Sequence, residues 1–454
     1  MSTPAAVALV AGPLDAPVAR RRGAVFSRRQ LVADAAALAE RLPDRGEMLN
    51  LSLDRYRFAV GFAAALLRGH TSLLPPNHTA DTVLRLRRRF DGVYALVEAG
   101  TDGHGLPTVM HVDGATTADA VETVPEIAAG HVAAFVLTSG STGDPVPHAK
   151  TWGLLARNAA AGARRLAEML DRPSCDGLAL VATVPPQHMY GFESSVLIAL
   201  HGGAAFDADR PFYPADIAAA LERTPRPRML VTTPFHLKAC LESALAMPAV
   251  DLVLCATAPL APQLAAAAER AFAAPLVEIY GCTEAGQIAT RQTTRGPPWR
   301  TLDGLRIRGD GAAAVVSGGH VPEPVQLADV LEVVDAETFR LLGRSNDLIN
   351  IAGKRSSLGH LDFHLNQIAG VADGAFWMPP DHGAAVVRLV AFVVAPGVAG
   401  HAIVEALRNR VDSAFLPRRI VHVDALPREP TGKLTTAALA AFAAATLASR
   451  KPGL

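Results

Sequence analysis

Short apolar runs recur along the middle of the chain: Leu178–Val184, Met229–Thr233, Leu252–Ala256 and Leu276–Ile279 are rich in Val, Leu and Ile. Unbroken runs of this length, without polar alternation, predict strands buried on both faces of a sheet. Between them the period changes. Leu155, Ala159, Ala163, Leu166 and Leu170 share one helical face, and Leu260–Phe272 reads as an alanine-rich helix. An earlier pair repeats the theme, with Phe58–Leu67 as a helix feeding a strand that ends in Leu73-Leu74-Pro75-Pro76-Asn77. Strands alternating with helices predict a mostly parallel sheet.

Beyond Val330 the pattern is different. Leu331–Val334 and Phe339–Leu342 flank Asp335–Thr338 as a hairpin. Val386–Val394, a helix over Ala402–Ala414, and Ile420–Val423 then make a small α+β unit. The expected architecture is α/β: a large N-terminal domain of mostly parallel sheets with flanking helices over residues 1–343, and a small mobile α+β domain over 344–454.

Polar and glycine-rich pieces fall just after the strands, at Pro185–Gly191, Thr232–His236, Thr257–Pro259 and Tyr280–Gly286. In open α/β sheets ligands collect at the carboxyl ends of strands. The most informative piece is Thr138-Ser139-Gly140-Ser141-Thr142-Gly143-Asp144-Pro145-Val146-Pro147-His148-Ala149-Lys150, which follows the apolar run Val132–Leu137. Glycines let the backbone approach an anion, so N–H groups and the hydroxyls of Ser139, Ser141 and Thr142 can face phosphate oxygens. It is neither a Walker loop nor a dinucleotide fingerprint.

Composition narrows the class. The chain has 454 residues, half of them hydrophobic, and a formal net charge of zero, so there is no electrostatic case for a nucleic-acid partner. The apolar stretches Val196–Leu200 and Val386–Ala395 are too short or too interrupted for a membrane span, and no basic stretch precedes an N-terminal apolar segment, which argues for a cytoplasmic protein. Cys175, Cys240, Cys255 and Cys282 have no ligand or disulfide spacing.

Four further motifs follow the loop in order: Tyr280-Gly281-Cys282-Thr283-Glu284-Ala285; Asp329 in Leu-Ala-Asp-Val-Leu-Glu; Gly343-Arg344-Ser345-Asn346-Asp347 running to Gly353-Lys354-Arg355; and Pro430-Thr431-Gly432-Lys433. Together they resemble the acyl-adenylate-forming (AMP-binding) superfamily of acyl-CoA synthetases, aryl-CoA ligases, luciferases and nonribosomal adenylation domains, over almost the whole chain.

The resemblance implies a two-step reaction: a small carboxylic acid attacks the α-phosphate of ATP, pyrophosphate leaves, and the acyl group passes to a thiol of coenzyme A or of the phosphopantetheine on an acyl carrier protein. It implies that Thr138–Gly143 hold the β- and γ-phosphates, Thr283 the α-phosphate and Glu284 Mg²⁺. Tyr280 and Gly281 would lie beside adenine and acid, Asp329 and Arg344 at the ribose, and Lys433 would deliver charge to the reacting groups. His188, Phe192, Thr233 and Phe235 would line the acid pocket. Asn346 would be the hinge, and Gly353 would line the thiol tunnel.

The chain departs from the family pattern in places. The family loop carries lysine where Val146 stands, which makes Lys150 the candidate loop cation. Where many members read Gly-Gly-Ala-Pro, this chain has Ala256-Thr257-Ala258-Pro259. No cation or acid in the pocket segments suits an amino-acid substrate, which favours an aryl or fatty acid. Two other readings stay open: an adenylating enzyme without the thioester step, and a catalytically inactive nucleotide-binding interaction protein.

Overall fold

A computed structural model of the chain describes residues 5–111, 118–139, 145–309, 311, 313–344, 348–351, 354–379, 389–408, 410–428 and 434–449. Two large sheets organise the part up to Arg344. In the larger one, Ala205–Asp207, Ala179–Ala182, Arg228–Thr232, Leu252–Cys255 and Leu276–Cys282 run parallel in that spatial order. Ala179–Ala182 and Leu252–Cys255 are buried at every position, as strands covered on both faces must be. The sheet then turns antiparallel through Gly286–Arg291, Trp299–Thr301, Thr338–Arg344 and Asp329–Val333, 11 strands in all. The hairpin expected around Asp335–Thr338 is its far edge.

The second sheet has six strands, with Thr71–Leu74 and Glu47–Asn50 parallel at its centre. Val132–Ser139 joins Thr71–Leu74 in parallel, and Pro145–Thr151 closes that edge antiparallel to it. The phosphate-loop segment therefore links the two strands of a hairpin.

Helices Arg55–Arg68 and Trp152–Met169 pack in the core that joins the sheets. The first is built by local rules. The Asp54 carboxylate accepts from Arg57 N at its start, and Gly69, at φ 76°, ends it in the left-handed region. Its Phe62 ring meets Trp152 at 6.0 Å and Phe192 at 4.9 Å between centroids. Burying aromatic rings of this size contributes about 1.5–3 kcal/mol each.

Past Arg344 the strands leave the large sheet. Leu348–Ile351 and Lys354–Ser357 pair as a hairpin, and Asp373–Trp377, Val390–Val394 and Arg419–His422 form a three-stranded sheet. Helices Leu358–Leu365, Gly400–Arg408 and Thr436–Ser449 accompany them. The helix expected over Ala402–Ala414 is shorter. It ends at Arg408, and a separate turn Ser413–Phe415 starts where the Asp412 carboxylate accepts from Ala414 N. An aspartate satisfying a new N-terminus competes with continuation of the helix. The strands Leu305–Arg308, Val315–Gly318 and Val321–Gln326 form a small antiparallel sheet that the apolar pattern did not announce.

Candidate active site

Two hairpins bring the predicted motifs together. In the first, Pro145 pairs with Ser139 and Val146 with Thr138, so the strands hold the base of the phosphate loop from both sides. In the second, Cys282 pairs with Gly286, leaving Thr283, Glu284 and Ala285 as the turn between Leu276–Cys282 and Gly286–Arg291. His148 spans them: its Nε2 lies 3.1 Å from Thr138 Oγ1 and 3.9 Å from Glu284 Oε1. The Glu284 carboxylate is half-exposed beside the loop's base.

Tyr280 and Asp329, 49 residues apart, also meet. The phenol donates to Asp329 Oδ2 at 2.7 Å. Tyr280 is 7% exposed, its ring edge-on to Phe339 and tilted against Trp299. This bracing orients Asp329, which the sequence did not reveal. Gly281 lies where an added Cβ would collide with the Gly286 backbone, so the close approach of the two strands requires glycine.

Lys150 differs from its expected role. The strand register sets it opposite Ala134, five residues from the loop-side end of Pro145–Thr151, roughly 16 Å along an extended chain. Lys150 is 7% exposed, and its ammonium donates to the Glu284 carbonyl at 2.7 Å. Burial lowers its pKa, partly offset by Glu193, Cys282 and Glu284.

Around that ammonium lies a buried polar group that sequence reading missed. Glu193 sits in a π-helical stretch, Phe192–Leu197, and accepts from Asn158 Nδ2. Desolvation pushes its carboxyl up to about 8, against the pull of Lys150, Asn158 and the Gln287 backbone. Gly286 makes the close packing feasible. It has φ 79°, and a Cβ there would stand 2.7 Å from both Asn158 Nδ2 and Glu193 Oε1. A π-bulge next to a motif helix is a mark of functional sites, but apolar periodicity does not expose it. These residues face a cavity of about 200 Å³ that also touches Glu284 and His320.

The expected acid-pocket residues scatter. Phe192 is fully buried, its ring against Phe58 and Phe62 in the core. Thr233 is 1% exposed and caps helix Pro234–Glu242 by accepting from His236 N. Both therefore serve packing and capping, and neither lines the cavity at Glu284. Phe235 is exposed, tilted against the exposed Phe212 and edge-on to the buried His236. His188 donates from Nε2 to the Pro76 carbonyl at 2.8 Å, joining the two sheets' loops. Burial holds the Cys282 thiol up at about 12, so it is no nucleophile at neutral pH.

Gly140, Ser141, Thr142, Gly143, Asn346, Gly353 and Lys433 lie outside the described residues, as do the side chains of Ser139 and Arg344. Among the described residues no cluster of three His, Cys, Asp or Glu could hold a metal. A Mg²⁺ ion that takes one carboxylate plus phosphate oxygens needs none, and the half-exposed Glu284 suits it.

A phosphate-loop hairpin, a Thr-Glu turn and a tyrosine-braced aspartate on an α/β scaffold define an acyl-adenylate-forming enzyme fold. Residues 96–322 match the family model for AMP-binding enzymes, and the chain belongs to that family. It is 32% identical over 300 residues to a 4-coumarate–CoA ligase of Rhodobacter capsulatus, spanning 65% of this chain and 73% of that one. A 4-coumarate–CoA ligase of Halorhodospira halophila is 30% identical over 244 residues, 52% of this chain and 56% of its own length. Among solved structures, ATP-bound MatB from Rhodopseudomonas palustris superimposes with a TM-score of 0.76 at 19% identity, over 94% of this chain and 95% of that one. The AMP complex of O-succinylbenzoate coenzyme A synthetase from Bacillus subtilis gives 0.75 at 18% identity, over 92% and 94%. These structural likenesses establish the fold.

Proposed function

We propose that the protein activates a carboxylic acid with ATP as an acyl-AMP, releasing pyrophosphate, and transfers the acyl group to a thiol, coenzyme A or carrier-protein phosphopantetheine. The observation that carries this reading is the convergence of two hairpins, in which Thr138, His148 and Glu284 meet at the base of the phosphate loop. Attack of one anion on another needs fixed donors and positive charge around the phosphates, and little else from the protein.

In this reading Thr138–Gly143 hold the β- and γ-phosphates and Thr283 the α-phosphate. Glu284 holds Mg²⁺, which would neutralise phosphate charge when bound. Asp329, braced by Tyr280, takes the ribose hydroxyls with Arg344 nearby. Lys433 reaches the reacting groups from the C-terminal part. His148 faces the loop's base where Lys150 does not. Residues 1–343 and 344–454 act as two domains with Asn346 near the pivot and Gly353 at the thiol passage. Support comes from apolar clusters built wholly from residues beyond Arg344, such as the one holding Ile349, Leu361, Phe376 and Ile403. The names of the curated relatives support an aryl acid and coenzyme A.

ATP–pyrophosphate exchange tests the reading directly. Glu284→Gln should keep the fold and lower exchange about a hundredfold, the loss typical of one electrostatic stabiliser. Exchange at the wild-type rate in that variant would remove Glu284 from the site.

A further inference from the structure

One strand meets Glu284 twice. On Pro145–Thr151, His148 and Lys150 stand two residues apart and so share a face of the strand. His148 Nε2 lies 3.9 Å from the Glu284 carboxylate, and the Lys150 ammonium donates to the Glu284 carbonyl at 2.7 Å. Side chain and backbone of one residue are thereby tied to the strand that follows the phosphate-loop segment. The ladder with Val132–Ser139 also slips just past Lys150, where Thr151 pairs with Val132. Bulges of this kind re-aim side chains beside active sites.

Other anchors hold the strands on either side of the turn. Cys282 pairs with Gly286 at its base, His320 Nε2 lies 2.9 Å from the Gln287 carbonyl, and the Glu193 carboxyl accepts from the Gln287 N–H. The carbonyl at the turn's apex belongs to Lys150, which crosses 134 residues of sequence to reach it.

An ammonium is a costly donor to bury, and Lys150 is buried. Methionine, unbranched and one atom shorter, would fill the same space beside Leu154, Leu155 and Met189 without that desolvation. What the charge adds is a strong, directional bond to one carbonyl. Its effect is therefore on the place of Glu284 and not on the packing around it.

We propose that Lys150 is a positioning residue: from the phosphate-loop strand it fixes the Thr283–Glu284 turn by its apex carbonyl, and so sets where the Glu284 carboxylate stands relative to the triphosphate. The inference rests on the reading of Glu284 as the carboxylate that holds Mg²⁺. A misplacement of about 1 Å can slow a reaction a hundredfold, so a bond remote from the substrate is enough to matter.

The test is a double-mutant cycle in ATP–pyrophosphate exchange, run with whichever of benzoate, 4-coumarate and hexanoate the wild type activates best. Lys150→Met should lower kcat/KM for ATP about tenfold or more and leave the KM of the acid within about twofold. In the Glu284→Gln background the same substitution should change exchange less than about twofold, because the carboxylate it positions is gone. Equal losses in both backgrounds would show a contribution independent of Glu284 and overturn the inference. A second readout needs no turnover and no acid: ATP affinity by calorimetry, in Mg²⁺ and in EDTA. Lys150→Met should weaken binding severalfold in Mg²⁺ and leave binding in EDTA nearly unchanged, whereas the same loss in both would assign Lys150 to general support of the fold. Thermal melting checks that each variant folds. If Lys150→Met does not, Lys150→Met with Glu193→Gln, which leaves no buried carboxylate facing a missing cation, takes its place, with Glu193→Gln as its reference. Exchange at the wild-type rate in Glu284→Gln alone fails differently: it removes the reading of Glu284, and this inference with it.

Discussion

The Glu193 carboxyl and the Thr257 backbone are two residues held away from their ordinary preferences. Burial lifts Glu193 from 4.5 to about 8. Between those values an unfolded chain has released the proton and the folded one has not, so stability falls as pH rises through that window and levels off above it. Glu193→Gln removes the slope. Its urea midpoint relative to wild type should therefore be higher at pH 8.5 than at pH 5, by an amount on the order of 1 kcal/mol or more. A difference that does not change with pH would place the proton elsewhere.

Thr257 has φ 86°, in the left-handed region that a β-branched residue avoids. It stands in Ala256-Thr257-Ala258-Pro259, where the family resemblance led to glycine. Thr257→Gly should relieve the strain but enlarge the unfolded ensemble, for a net gain of roughly 1 kcal/mol or less. Chemical denaturation checks it, and a clear loss would mean that the threonine side chain contributes more than its backbone costs. The positive φ was not legible in sequence, because nothing local distinguishes this threonine from one in a strand.

At the scale of elements, the hairpin Leu276–Cys282 to Gly286–Arg291 does most of the positioning. It presents Thr283 and Glu284 on a three-residue turn, and through Tyr280 it reaches across to Asp329 on the sheet's far edge. Tyr280→Phe keeps the packing against Trp299 and Phe339 and removes only that hydrogen bond. We expect about 1 kcal/mol lower stability and an ATP KM raised severalfold, with the KM for the acid little changed. Equal effects on both substrates would count against Asp329 as the ribose ligand. The parallel strands and the long helices of this sheet were legible because each buries a continuous apolar face. The small sheet from Leu305 to Gln326 was not. Its strands alternate buried and exposed residues in short spans, as in Leu305–Arg308, and glycines interrupt them. The helix ending at Arg408 was overestimated, since apolar periodicity continues past the point where Asp412 starts a new turn.

The whole molecule buries several histidines in neutral form. Burial pushes His236 and His320 down to about 4, and half-buried His78 and His201 likewise. Unfolded imidazoles take up protons near 6.5. Stability that is present above pH 6.5 is therefore lost as pH falls toward 4, because the unfolded state binds more protons across that window. Urea midpoints should drop steeply between pH 6.5 and 4. His320→Gln should blunt the drop, and an unchanged slope in that variant would exclude His320 from it. No described helix is long and apolar enough to cross a membrane.

The sequence by itself determined the α/β class, the order of strands and helices, and the motifs Thr138–Gly143, Thr283-Glu284 and Asp329, because local periodicity and glycine-rich loops after strands are properties of contiguous residues. Only the tertiary structure decided which way side chains face and which distant groups meet. Strand register turned Lys150 from the phosphate loop to the Glu284 carbonyl. Core packing buries Phe192 against Phe58 and Phe62 and sets Thr233 at the start of a helix. The convergence of helix Trp152–Met169, the π-helical stretch Phe192–Leu197 and the turn at Gly286 created a buried polar cavity from Asn158, Glu193 and His320. Such a cavity is a property of long-range packing, in which desolvation arises only when segments distant in the chain are pressed together.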